Sequence, residues 1–151
     1  MTVIQAEVVK AVPAGVPPAF IRGVLSRAAK VPEIAARLPE GHPTVAVRLT
    51  GDEELRHLNR TFAGEDHATD VLSFAGQGEH LGDIAISWPA AVRQAARFRQ
   101  HDKTELALLS VHGLLHLLGW DHATATEVAE MTRLTVAALR TSRIELAPRR
   151  L

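Results

Sequence analysis

The chain has 151 residues, 46% of them apolar and 23% charged, with 17 basic against 17 acidic side chains and no cysteine. That length suits one domain with a sizeable core. The even charge argues against a protein that coats nucleic acid non-specifically, and the missing cysteines exclude disulfide frameworks and thiolate chemistry.

No apolar run approaches the roughly 18 residues needed to span a membrane. Gln5 and Glu7 interrupt the apolar start of the chain, which therefore does not read as a signal peptide. A soluble cytoplasmic protein is the expectation. Residues 3–12 read as a strand. Pro17 and Pro18 open a helix running to about Lys30, since proline suits a first turn. Residues 32–43, bounded by prolines, are expected to be irregular. Residues 44–50 alternate as a strand, with Val45, Val47 and Leu49 on one face and Ala46 and Arg48 on the other. Thr50 or Asp52 then caps a helix that turns Leu55, Leu58, Asn59 and Phe62 inward. Residues 64–68 form a loop. Two strands follow, 69–75 and 81–87, joined through Gly76 and Gly78. Pro89 opens a helix to about Gln100, and Asp102 and Glu105 fit the two ends of a capping box at the head of the next. A last helix covers residues 124–142. Interspersed strands and helices predict an α+β fold: one domain over residues 1–151, a mixed sheet of about four strands, surrounding helices and one central buried helix.

That buried helix carries the chemistry. Three of the eight histidines lie within the eleven residues HGLLHLLGWDH at 112–122. His112 and His116 are four apart, so they stand on one helix face a turn apart. Gly119 is placed to end the helix, which lets the chain bring His122 back toward the same point. Leu106, Leu108, Leu109, Val111, Leu114, Leu115, Leu117 and Leu118 make the segment apolar on nearly every side, the mark of a buried helix. A lone histidine there would be read as a core residue bonded to a nearby carbonyl. Three at this spacing, with no cysteine, point to a metal. Three protein ligands that leave a position open describe a catalytic centre, whereas structural zinc is usually cysteine-rich and four-coordinate. Zinc is the expected ion; three imidazoles also accept nickel or copper. The zinc-protease signature needs Glu directly after the first His as general base, and here that residue is Gly113.

The 112–122 segment closely resembles the H-G-x-L-H-L-x-G-[YW]-D-H signature of the YbeY family, the rRNA-maturation endoribonucleases. The stretches TDVLSF at 69–74 and LGDIAIS at 81–87 match in the same order, and Asn59, Phe62 and Asp66 fall where that family's pattern places them. The resemblance runs from about Val45 to Met131. It implies a metal-dependent, single-strand-specific endoribonuclease acting on rRNA with the small ribosomal subunit, and neither a membrane nor DNA as partner. One departure bears on activity. The family commonly carries an arginine after the aromatic at Phe62, and this chain has Ala63. Arg60, one turn earlier, is the candidate substitute. Without such an arginine, weak intrinsic cleavage is expected.

Hydrolysis of a phosphodiester needs an activated nucleophile and a partner for the charge on the phosphoryl oxygens. His112, His116 and His122 are expected to act through water activated by the ion, and Arg60 is the tentative phosphate partner. Asp121 either orients a ligating ring or shapes the turn with Gly119. Glu105, seven residues before His112 on the same helix face, is expected to cap its helix; orienting an imidazole or acting as a base two turns away are the alternatives. Asp70 and Asp83 either bind backbone amides or line a cleft. Ser73 has no base visibly paired with it, and His57, His67, His80 and His101 read as surface or connecting residues. Arg93 and Arg97 share a helix face, and five arginines crowd the chain after Met131. A metal-dependent hydrolase of another class, and an assembly factor holding a structural metal, are the competing functions.

Overall fold

The computed structural model describes residues 3–151; Met1 and Thr2, the first residues of the expected N-terminal segment, lie outside the described residues. Four strands form one mixed sheet in the order β1-β2-β4-β3. β1 (Gln5–Lys10), β2 (Thr44–Thr50) and β4 (His80–Ser87) run parallel, and β3 (Val71–Ala75) pairs antiparallel with β4 at the edge. The alternation of β2 decides its facing: Val45, Val47 and Leu49 are buried and Arg48 is exposed. In register beside them stand Ile84 and Ile86 of β4, and beside those Val71 and Ser73 of β3. This apolar face receives the helices.

Six helices surround the sheet. α1 (Pro18–Ala28) begins at proline as its sequence requires. α2 (Pro32–Arg37) occupies part of the stretch expected to be irregular. It is only six residues long and buries Ile34, so no helical periodicity announces it. α3 (Asp52–Leu58) follows Gly51 without a side-chain cap from Thr50 or Asp52. It continues into a single wide π turn, Asn59–Ala63, closed by Gly64 in the left-handed region at φ 71°. A π turn inserts an extra residue into the helical phase. Leu55 and Asn59 are buried as expected, but Phe62 is rotated out and is 68% exposed, its ring edge-on to Phe74 with centroids 5.3 Å apart. α4 is Trp88–Phe98, capped by the Ser87 hydroxyl, which accepts from the Ala90 N–H.

α5 (Asp102–Leu117) lies at the centre, in contact with α1, α4, α6, β3 and β4. Ten of its sixteen residues are buried, from Glu105 to Leu115. Its close approach to the sheet depends on Gly113, where a Cβ would stand 2.7 Å from Ile84 Cγ2. α6 (Ala125–Arg140) is opened by a complete capping box: Thr124 accepts from the Glu127 N–H, and the Glu127 carboxylate accepts from the Thr124 N–H. The single α+β domain with a mixed four-stranded sheet and a buried histidine helix is as the sequence predicts.

Candidate metal centre

α5 ends where Gly119 permits it. Gly119 takes φ 97°, its N–H donates to His116 O, and the Trp120 N–H reaches back to Leu115 O, the Schellman pattern. The chain then reverses, and the reversal is pinned. Trp120 is buried, the Arg37 guanidinium lies 3.6 Å from its ring centre, and Arg37 Nη1 donates to Leu118 O at 3.1 Å. The short helix α2, through Arg37 at its end, thus holds the turn that carries the third histidine. Asp121 completes it: its carboxylate accepts from the His122 N–H at 2.7 Å. That bond favours the turn-forming role for Asp121.

The result is one cluster. His112, His116 and His122 each offer a ring nitrogen, and these atoms lie within 4.8 Å of one another. His112 Nε2 and His116 Nε2 are 3.1 Å apart. Four-coordinate zinc at about 2.0–2.1 Å from each nitrogen needs neighbouring ligand nitrogens about 3.3 Å apart, which the His112–His116 pair matches, with the third nitrogen within 4.8 Å. Burial drives the His112 imidazolium out, pushing its pKa from 6.5 down to about 4, with His116 and His122 adding like-charge repulsion and Asp70 opposing them. Burial, then His122, lowers His116 as well. Neutral imidazole is the form that binds a metal.

The cluster opens into a cleft of about 520 Å³ lined by β3 and α5, with Thr69, Asp70 and Ser73 facing the histidines. Asp70 is its one carboxylate among the described residues and accepts from Gln94 Nε2 at 3.2 Å. Ser73 donates to Gly113 O at 3.0 Å, tying strand to helix beside His112. Asp83 is not in the cleft; its carboxylate faces His80 Nε2 at 3.1 Å, and His80 Nδ1 faces Thr44 Oγ1. His57 and His67 are exposed, and exposed His101 precedes α5.

Two expectations are corrected. Glu105 does not cap α5, whose preceding residue His101 makes no side-chain cap bond. Glu105 is wholly buried, accepts from Arg150 Nε and Nη2 at 2.7 Å each, and takes a third bond from Gln100. It is therefore not free to orient an imidazole. Arg60 is not in the cleft. It lines a separate groove with Glu53, Glu54, Arg56 and His57, its Nη2 3.4 Å from His57 Nδ1. Among the described residues no arginine lines the histidine cleft. Arg93 is paired with Asp52, and Arg133 with Glu33. The sequence reading missed Arg37, Gln94 and Arg150; each acts on a partner more than twenty residues away, which no local pattern reveals.

A family model described as Endoribonuclease YbeY matches residues 17–143. Proteins named Endoribonuclease YbeY include that of Chloroflexus aurantiacus, 46% identical over 111 residues, which are 66% of this chain and 71% of that one. That of Moorella thermoacetica is 45% identical over 111 residues, 64% of this chain and 71% of the relative. That of Brevibacillus brevis is 43% identical over 118 residues, 66% and 74% respectively. Among solved structures, the solution structure of TM1509 from Thermotoga maritima is similar in fold, with a TM-score of 0.61 at 22% identity over 92% of each chain. The matched span contains β2, β3, β4 and the whole histidine helix with its returning turn, and the chain belongs to the YbeY endoribonuclease family.

Proposed function

We propose that the protein is a zinc-dependent endoribonuclease that cleaves single-stranded RNA, with rRNA and the small ribosomal subunit as its cytoplasmic setting. The observation that carries the reading is the meeting of three imidazoles in the lining of one cleft. His112, His116 and His122 would hold the ion, which when bound supplies Lewis acidity, activating water at neutral pH and polarising a phosphoryl oxygen. The protein's own part is to keep His112 and His116 neutral by burial, to hold His122 in place through the Gly119–Trp120 turn, and to offer Asp70 as an acceptor beside them. The family relationship supports RNA as substrate, and no helix among the described residues is long and apolar enough to cross a membrane.

The test is metal content together with cleavage of an unstructured RNA, before and after chelation, in the wild type and in His116→Ala. About one ion per chain is expected, with cleavage lost on chelation and restored by zinc. His116→Ala should lose both. A variant that keeps its metal refutes the ligand set, and cleavage that survives chelation refutes the metal's role.

A second reading is favoured by Ala63 and by the cleft lined without arginine: an assembly factor in which the ion is structural. It predicts that small-subunit association persists in His116→Ala while the wild type shows no RNA cleavage with zinc bound.

A further inference from the structure

The C-terminal segment beyond Arg143 lies outside the span matched by the family model. It nevertheless folds back against α4 and α5. The Ala147 N–H donates to Gln100 Oε1 at 2.8 Å, and Arg150 reaches the buried Glu105 while lying over the Phe98 ring. Burying a carboxylate is costly unless its charge is paired and its oxygens are bonded. Glu105 meets both conditions through Arg150 and Gln100.

Arg150 has a further bond. Its Nη2 donates to Gln94 Oε1 at 3.3 Å, and Gln94 Nε2 donates to Asp70 Oδ2 at 3.2 Å. A guanidinium only donates and an ionised carboxylate only accepts. An amide between them has one orientation that satisfies both, with its oxygen toward Arg150 and its NH2 toward Asp70. Remove Arg150, and the Asp70 carboxylate still selects that orientation, but the amide oxygen loses its donor and the Gln94 side chain is held from one side alone. Among the described residues, Asp70 is the single carboxylate lining the histidine cleft. We propose that Arg150 is a positioning residue: through Gln94 it fixes the Asp70 carboxylate in the histidine cleft, making the C-terminal tail part of the site. The kinetic part of this inference rests on the endoribonuclease reading; the bond relay does not.

Arg150→Ala would strand a buried charge and endanger the fold, so the decisive variant is Gln94→Leu, which cuts the relay and leaves the Glu105–Arg150 pair in place. Its melting temperature should match the wild type. Its kcat on RNA should fall roughly 10-fold, the scale on which supporting groups around a metal site act, with KM little changed. In an Asp70→Asn background the same substitution should cost nothing more, because Asp70 is the group through which it acts. Arg150→Lys keeps the charge but not the fork, and should shift the side-chain amide resonances of Gln94, as should Asp70→Asn. Cleavage by Gln94→Leu at the wild-type rate overturns the proposal, as does an equal loss in both backgrounds. Gln94 amide resonances that move in neither variant overturn the relay itself. A wild type that never cleaves RNA sinks the functional reading instead, and leaves the amide resonances to decide the relay.

Discussion

Acid should unfold the metal-free protein through His112 before it does so through the carboxylates. His112 is ordinary in the unfolded chain, at 6.5, but burial and two neighbouring imidazoles lower it to about 4 in the fold. Above 6.5 both states are neutral there and the group costs nothing. As pH falls below 6.5 the unfolded chain takes up a proton that the folded one refuses, so stability is lost down to about 4. At about 1.4 kcal/mol per pH unit, that loss comes to about 3 kcal/mol. His116 is shifted the same way and adds to it. The carboxylates held down by arginine, such as Asp52 by Arg93 and Glu54 by Arg48, give up their share at lower pH. The assay is urea denaturation of chelated protein from pH 7.5 to 4, for the wild type and His112→Leu. The variant should lose about 3 kcal/mol less than the wild type across that window. Parallel losses in the two proteins would show that His112 is not buried as described.

Gly113→Ala should destabilise by about 1–3 kcal/mol, the usual cost of overpacking, because the new methyl meets Ile84; Ile84→Val should recover part of it in denaturation. Glu105→Ala should cost about 3–5 kcal/mol by stranding Arg150, whereas Glu105→Met combined with Arg150→Leu should stand much closer to the wild type. Ala63→Arg should raise RNA cleavage, and Arg60→Ala should leave it unchanged, since Arg60 lies in a different groove; a strong loss in Arg60→Ala would show that this groove serves the reaction.

Much of this architecture is local and was therefore legible. β2 declares itself through Val45, Val47 and Leu49, and the histidine cluster through the helical spacing of His112 and His116 followed by Gly119. What escaped is long-range or out of phase. Glu105 matched a capping pattern with Asp102, but its partner is Arg150 at the far end of the chain. The capping box that forms is the one at Thr124 and Glu127, whose two side chains satisfy each other's backbone N–H. A 3.6-residue period points Phe62 inward, and the π turn breaks that period. α2 is too short for any period to show, yet Arg37 at its end stacks on Trp120 and steadies the approach to His122.

All three imidazoles come from eleven consecutive residues, which affects the denatured chain as much as the native one. So short a segment costs little entropy to close, and an ion bridging positions four apart rewards the helical turn that α5 needs as a nucleus. A metal ion held by this segment would therefore engage the unfolded ensemble too. The gain in melting temperature on adding zinc should fall short of the value set by native affinity alone, because binding to the unfolded chain cancels part of it.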